Sequence, residues 1–332
     1  MSVKVAINGF GRIGRCVARI ITAREDVELV AVNDTTPREM TVNLLKYDSV
    51  HGEFKYDVEY INQDNIKING KNVRFFSDRD PSKLGFADCG ADVVLECTGA
   101  ILTREKAQAH IDNGIKKVVF SAPAKDDTPT FVTGVNTDEY DGQKIVSNAS
   151  CTTNGLAPIL KVIGDELGIQ KGLMTTIHAY TNGQNLLDVK TTKDFRRARA
   201  AAVNMIPTTT GAAKAVSLVL PELKGKLHGQ SVRVPIANVS MIDLTLVTSK
   251  DTSIEKINEI LINASKTTHK NIIDIDNDYR VSSDFIGNNA STIVAPDLTQ
   301  VICENMVKIM SWYDNEWGYS NRLVDLALFI SK

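Results

Sequence analysis

The chain has 332 residues, a length that favours two domains over one. Charged residues make up 23% and hydrophobic residues 43%, the composition of a water-soluble globular chain with a sizeable core. Thirty-eight Lys and Arg stand against forty Asp and Glu, a formal charge of -2, so composition gives no general attraction to nucleic acid or an acidic membrane, and any anion site must be local.

The first half alternates apolar runs with helical patterns. Residues 3–7 read as a strand. Ile13, Cys16, Val17, Ile20 and Ile21 then recur at helical spacing, and 28–32 reads as the next strand. Strand, helix, strand within about thirty residues is the pattern of a parallel βαβ unit. Further strands are expected at 92–96, 117–121 and 144–147. Between them, 66–68 and 73–76 flank Asn69-Gly70, a hairpin signal. A helix is expected after Cys151, with Leu156, Ile159, Leu160, Ile163 and Leu167 on one face. Beyond it the candidate strands lengthen: 173–180, 231–236, 239–249 and 301–313. In the third, Ile242, Leu244 and Leu246 alternate with Asp243 and Thr245, as in an antiparallel sheet covered on one face. Residues 254–264 and 322–330 read as helices.

The expected fold class is therefore α/β, with a parallel sheet in the first half, a mostly antiparallel sheet in the second, and a domain boundary near 147–151. The N-terminus shows no secretory h-region and no apolar run approaches the roughly 20 residues of a membrane span. Five cysteines at wide spacings, with no CxxC, argue against a disulfide framework and a structural zinc site. The reading is a reduced, cytoplasmic protein without metal.

Gly9, Gly11 and Gly14 form a GxGxxG between a strand and a helix, with Asp34 at the end of the next strand. The first glycine permits the tight turn, the second the approach of a pyrophosphate, the third close helix packing. The helix N-terminus, at Arg12 and Ile13, offers N–H donors to the phosphates. Asp34 would accept from the adenosine ribose hydroxyls and so favours NAD, since a carboxylate repels the 2′-phosphate of NADP. Arg79 and the hydroxyls of Thr35 and Thr36 pull the other way.

Cys151 lies at the start of a helix, where the dipole and unpaired N–H groups stabilise a thiolate and lower its pKa. It is the candidate nucleophile; the other four cysteines read as small buried hydrophobes. Among five histidines, His178, on the 173–180 strand, is the candidate base. Spacing does not establish that it faces Cys151.

Several segments together carry a resemblance: NGFGRIGR at the start, SNASCTTNGLAP around Cys151, His178-Ala-Tyr-Thr181, RRARAA at 196–201, PTTTGAAKAV at 207–216, Arg233-Val-Pro, and SWYDNEWGYSNR near the end. From end to end the chain resembles the phosphorylating glyceraldehyde-3-phosphate dehydrogenases of bacterial type. The resemblance implies a Rossmann-type dinucleotide-binding domain over 1–150, completed by the C-terminal segment 314–332, and an α+β catalytic domain with a mostly antiparallel sheet over 151–313. The resemblance implies oxidation of glyceraldehyde 3-phosphate to the acyl phosphate, with NAD and also NADP, in glycolysis and gluconeogenesis. It implies a Cys151 thiohemiacetal and thioester with His178 as base. It places Ser121 and Asn315 at the nicotinamide, Thr181 and Arg233 at the substrate phosphate, and Ser150, Thr152, Arg197, Thr210 and Gly211 at inorganic phosphate. It also implies a homotetramer. Two departures stand out. Asn182-Gly183-Gln184 replaces a common Asn-Asp-Gln, removing a carboxylate near Arg233. Val189-Lys190-Thr191-Thr192 replaces the Leu-Pro of NAD-specific members, and Thr35 stands where those members often have Leu; both resemble NADP-tolerant relatives. The competing expectations are erythrose-4-phosphate dehydrogenase and a non-catalytic nucleotide-binding protein.

Overall fold

The computed structural model describes residues 2–190 and 194–332. The chain divides into two compact units, one of residues 1–133, 137–150 and 320–332, the other of 134–136 and 151–319. Each is α/β, and no helix among the described residues is long and apolar enough to cross a membrane.

In the first unit an eight-stranded sheet runs, in spatial order, Ile145–Ser147, Lys117–Phe120, Val93–Glu96, Val3–Asn8, Val27–Asn33, Lys71–Phe76, Asn65–Ile68 and Val58–Asn62. The first six strands are parallel and the last two pair antiparallel. Their continuous apolar runs are buried: Ala6, Ile7, Val94 and Val118 have no exposed surface. Strand order reverses at Val3–Asn8, which lies between the next strand in sequence and the later Val93–Glu96. Such a switch point opens a crevice beyond the strand C-termini, where open α/β sheets bind ligands. The Asn69-Gly70 turn forms as expected, both residues at positive φ (49° and 74°).

The second unit is built on another sheet, ordered Ile206–Thr209, Leu227–Val234, Ile169–Ala179, Ser240–Thr248, Met306–Tyr313, Thr292–Val294 and Ile273–Ile275, with Gln300–Ile302 pairing Met306–Tyr313. Most pairs are antiparallel; Ile169–Ala179 with Leu227–Val234 is a parallel exception. Ile242, Leu244 and Leu246 are fully buried while Asp243, Thr245 and Val247 stay half-exposed, the expected alternation. The helices Cys151–Leu167, Ala212–Val219 and Ile254–Lys266 bury their apolar stripes in this unit.

The structure corrects the expected single strand over 301–313. Gln300–Ile302 ends in a turn through Cys303 and Glu304, with φ of 50° and 62°, and folds back on Met306–Tyr313. Neither residue is a customary left-handed residue, so the turn left no signal in composition. The helices Arg38–Lys46 and Arg104–Asp112 also escaped the periodicity reading. The second buries only Ala107 and His110, too few apolar positions to mark a stripe.

A Cβ on Gly14 would fall well inside van der Waals contact of the Gly9 carbonyl oxygen, whereas one on Gly11 would meet nothing within 4 Å. Gly14→Ala should therefore lose about 1–3 kcal/mol of stability through forced overpacking. Gly11→Ala should unfold within about 0.5 kcal/mol of the parent. Thermal unfolding of the two variants side by side checks this; equal midpoints would overturn it.

Candidate active site

The glycine loop of the first unit is fixed from behind. Gly9 has φ of 91° and its N–H donates to Asn33 O (2.9 Å). Asp34 takes the Phe10 N–H on one carboxylate oxygen and the Thr36 N–H on the other, both at 2.8 Å. The residue expected at the ribose thus also clamps the loop, with lone pairs left for hydroxyl donors. The Arg12 guanidinium is turned away into a two-pronged contact with Asp48, 3.1 Å on each prong. Burial raises the Asp48 carboxyl, but the His51 N–H, Arg12 and the Val50 N–H outweigh it and hold the group below the usual carboxylate range. With that side chain committed, a contact of Arg12 and Ile13 with a phosphate would be made by their backbone. The open space beside Gly11 and the uncrowded start of the helix Arg12–Thr22 fit a dinucleotide pyrophosphate.

Sequence reasoning missed a buried polar chain beneath this loop. Asn33 Nδ2 donates to Asn8 Oδ1 (2.7 Å), and Asn8 Nδ2 to Glu96 Oε2 (2.6 Å). Glu96 also accepts from the Thr98 N–H (3.0 Å) and faces His110 Nε2 (3.4 Å). Asn33 pairs with both backbone groups of Asp78, holding the turn that carries Arg79, which is itself exposed. The available signal was an asparagine ending two neighbouring parallel strands. Ser121 bonds Cys97, whose thiol burial pushes up to about 12, so Cys97 is chemically quiet.

In the second unit, Cys151 opens the helix Cys151–Leu167 and its Sγ lies 3.6 Å from His178 Nε2. His178 reaches it because Ile169–Ala179 runs past the helix start; its ring is buried at 4% exposure, edge-on to Tyr313. The parallel register sets Arg233 beside His178. Arg233 Nη1 donates to Ala179 O (2.9 Å) and lies 2.8 Å from His178 Nδ1, which is itself 2.7 Å from Ala179 O. With an Nδ1–H donated to that carbonyl, Arg233 bonds Ala179 O and only abuts Nδ1, and the Nε2 lone pair is left on Sγ, the tautomer able to take a proton from the sulfur side.

Electrostatics departs from the sequence expectation of a lowered thiol pKa. Burial pushes the Cys151 thiol up, against Arg233, the Thr152 hydroxyl and the N–H groups of Thr152 and Cys151. Burial and then Arg233 push His178 down to about 3. Desolvation thus outweighs the helix N-terminus, and each ion taken alone is disfavoured.

The remaining expected residues fall into separate settings. Arg197 Nε donates to Thr208 Oγ1 (2.9 Å) and lies 3.7 Å from Asp194, so Thr208 and Asp194 join it unforeseen. Thr210 Oγ1 accepts from the Ala212 N–H (3.2 Å), ahead of the helix Ala212–Val219, and Gly211 faces open space. Thr181 and Gly183 are exposed in a turn closed by Gln184 N–H to Thr181 O. Asn315 is buried and its Oδ1 accepts from Ser240 Oγ (2.8 Å). Lys190 is exposed, and Thr191 and Thr192 lie outside the described residues.

His178→Asn should leave Cys151 to ionise alone in a desolvated place. The pH midpoint of Cys151 alkylation by iodoacetamide should rise, and the rate at pH 7 should fall by about tenfold or more. An unchanged midpoint, read by mass spectrometry of the labelled peptide, would show that the pair is not coupled.

Residues 3–104 match the NAD binding domain of glyceraldehyde 3-phosphate dehydrogenase and residues 150–315 its C-terminal domain. The chain is 51% identical over its whole length, and 99% of the relative's, to glyceraldehyde-3-phosphate dehydrogenase of Priestia megaterium (strain DSM 319 / IMG 1521). It is 50% identical to that of Geobacillus stearothermophilus and 49% to glyceraldehyde-3-phosphate dehydrogenase B of Aspergillus oryzae (strain ATCC 42149 / RIB 40), again covering all of this chain and 99% of each relative. A glycine loop clamped by an aspartate, a cysteine–histidine pair at a helix start and this full-length similarity agree: the chain belongs to the glyceraldehyde-3-phosphate dehydrogenase family.

Proposed function

We propose that the chain oxidises glyceraldehyde 3-phosphate to 1,3-bisphosphoglycerate with NAD and inorganic phosphate, as a cytoplasmic enzyme of glycolysis and gluconeogenesis. The observation that carries this reading is the 3.6 Å approach of Cys151 Sγ to His178 Nε2 beside Arg233. The relatives named above are glyceraldehyde-3-phosphate dehydrogenases, and no observation favours an erythrose 4-phosphate substrate or a non-catalytic role.

Cys151 Sγ bonds to the aldehyde carbon, and the carbonyl oxygen gains a proton to complete a thiohemiacetal. His178 Nε2 then takes that hydroxyl proton as the carbon loses hydride, and the C–O bond becomes the carbonyl of a thioester. NAD, when bound, supplies the two-electron acceptor. An oxygen of inorganic phosphate attacks the thioester carbon, and the Cys151 thiolate leaves. The Cys151 N–H and His178 lie where the oxyanions of both additions would develop. Thr181 and Arg233 hold the substrate phosphate; Ser150, Thr152, Arg197, Thr210 and Gly211 receive the incoming one. Arginine suits both tasks through planar, bidentate donation. Gly9, Gly11, Arg12, Ile13, Gly14, Asp34 and Arg79 hold the adenosine and pyrophosphate, and Ser121 and Asn315 the nicotinamide.

NADP is a second coenzyme on this reading. Asp34 spends one lone pair of each oxygen on the loop, which softens but does not remove its repulsion of a 2′-phosphate. Lys190, exposed near the segment that departs from NAD-specific members, supplies the compensating charge. A homotetramer is supported by the exposure of Leu186, Leu187, Phe195, Val203 and Met205, each more than three-quarters exposed. Apolar side chains so concentrated in one stretch of sequence mark an interaction surface.

The deciding assay follows absorbance of the reduced nicotinamide with glyceraldehyde 3-phosphate, with NAD and with NADP, with and without inorganic phosphate. Phosphate-dependent turnover, lost in Cys151→Ser, is expected; phosphate-independent turnover would exclude the acyl-phosphate product. Lys190→Leu should raise the KM for NADP several-fold more than that for NAD, and equal effects would remove its role. Light scattering should give four times the chain mass, and a monomer would reject the tetramer.

A further inference from the structure

Ser240, the first residue of the strand Ser240–Thr248, has a side chain with 1% exposure and no place in the chemistry above. Its Oγ accepts the Ala179 N–H (3.1 Å) and donates to Asn315 Oδ1 (2.8 Å). A serine hydroxyl has one hydrogen and two lone pairs. The Ala179 N–H takes a lone pair, and the single Ser240 hydrogen goes to Asn315 Oδ1. A primary amide held by its oxygen presents its nitrogen, and Asn315 Nδ2 has no hydrogen-bond partner among the described residues.

We propose that Ser240 is a positioning residue for the coenzyme: it locks the Asn315 amide with Nδ2 outward, so that the site reads the carbonyl oxygen of the nicotinamide carboxamide and not its amino group. The inference rests on Asn315 meeting the nicotinamide, as in the proposed function. The lock carries weight because an amide free to flip would offer the carboxamide either a donor or an acceptor. The nicotinamide face would then be undefined. The same serine also holds Ala179, whose carbonyl oxygen lies 2.7 Å from His178 Nδ1, so one hydroxyl touches both the amide and the strand end that carries the base.

The test is equilibrium binding to the full-length protein, read by quenching of its tryptophan fluorescence. The ligands are NAD, ADP-ribose, and the NAD analogue in which a 3-acetyl group replaces the carboxamide, keeping the carbonyl and losing the amino group. Ser240→Ala should weaken NAD and the acetyl analogue alike by about tenfold, the worth of one hydrogen bond. ADP-ribose, which lacks the ring, should bind as before, and this also reports a folded protein. Ser240→Thr, which keeps the hydroxyl, should recover most of the loss. The proposal is overturned if Ser240→Ala weakens ADP-ribose as much as NAD, or leaves NAD unchanged. It is equally overturned if the unmodified protein binds the acetyl analogue tenfold more weakly than NAD, because the amino group would then be what is read. Failure of the unmodified protein to bind NAD at all would instead defeat the underlying functional reading together with this one.

Discussion

A thiol and an imidazole 3.6 Å apart, both withdrawn from water, set the terms for the second unit. Burial raises one and lowers the other, so each resists ionising alone. At an effective dielectric of about 20, opposite unit charges at 3.6 Å attract by roughly 4–5 kcal/mol, or about three pKa units. That is the size of the downward shift on His178, from 6.5 to about 3. That attraction offsets only the fall of His178; an ordinary thiol already sits about 2 units above an ordinary imidazole and burial lifts Cys151 further, so the neutral pair is the resting form and the surrounding groups set how far above it the ion pair lies. The helix N–H donors and the Thr152 hydroxyl favour the thiolate. Arg233 favours the thiolate and disfavours the imidazolium, so it moves the difference less than its proximity suggests. A pair that rests neutral, and is drawn together once the proton moves, suits a thiol that must be nucleophile and then leaving group beside a base that must accept and return a proton.

On the proposed assignment the first unit solves a different problem, an anion site in a chain with almost no net charge, and backbone N–H groups rather than side-chain cations would serve it. Arg12, the nearest arginine in sequence, is committed to Asp48, and the loop geometry is held by Asp34 from the front and Asn33 from behind. Asn33, Asn8 and Glu96 form a continuous chain across three adjacent strand ends. Buried polar groups at the ends of parallel strands must find partners among themselves. Here the partners they find are the same groups that place the phosphate loop and the Arg79 turn.

What the sequence made legible follows from what kind of signal each feature leaves. Strands buried on both faces, such as Val3–Asn8 and Val93–Glu96, are continuous apolar runs and were readable. Helices that expose most of their surface, such as Arg104–Asp112, were not. Cys151 was readable because its local context, strand then turn then helix, is contiguous. The partnership with His178 is not, since it depends on where two distant elements meet. The turn before Cys151 is likewise silent in sequence, because Ala149 at φ 56° is left-handed without being glycine. Ser240 and Thr208 have no motif at all. Their importance is that of hydrogen-bond geometry, Ser240 to an amide and Thr208 to an arginine, and one-dimensional spacing carries none of it.

The two arginines expected at anions are built in opposite ways. Arg197 already has Thr208 and Asp194 as partners. The titratable groups that bear on Arg233 are Cys151, Arg197 and Tyr313, with no carboxylate among them, and its buried Nε has no acceptor. A guanidinium so placed is costly to bury and gains most from an arriving anion. On the proposed assignment, the uncompensated arginine meets the phosphate that stays with the substrate through both half-reactions. The compensated one meets the phosphate that enters, reacts and departs.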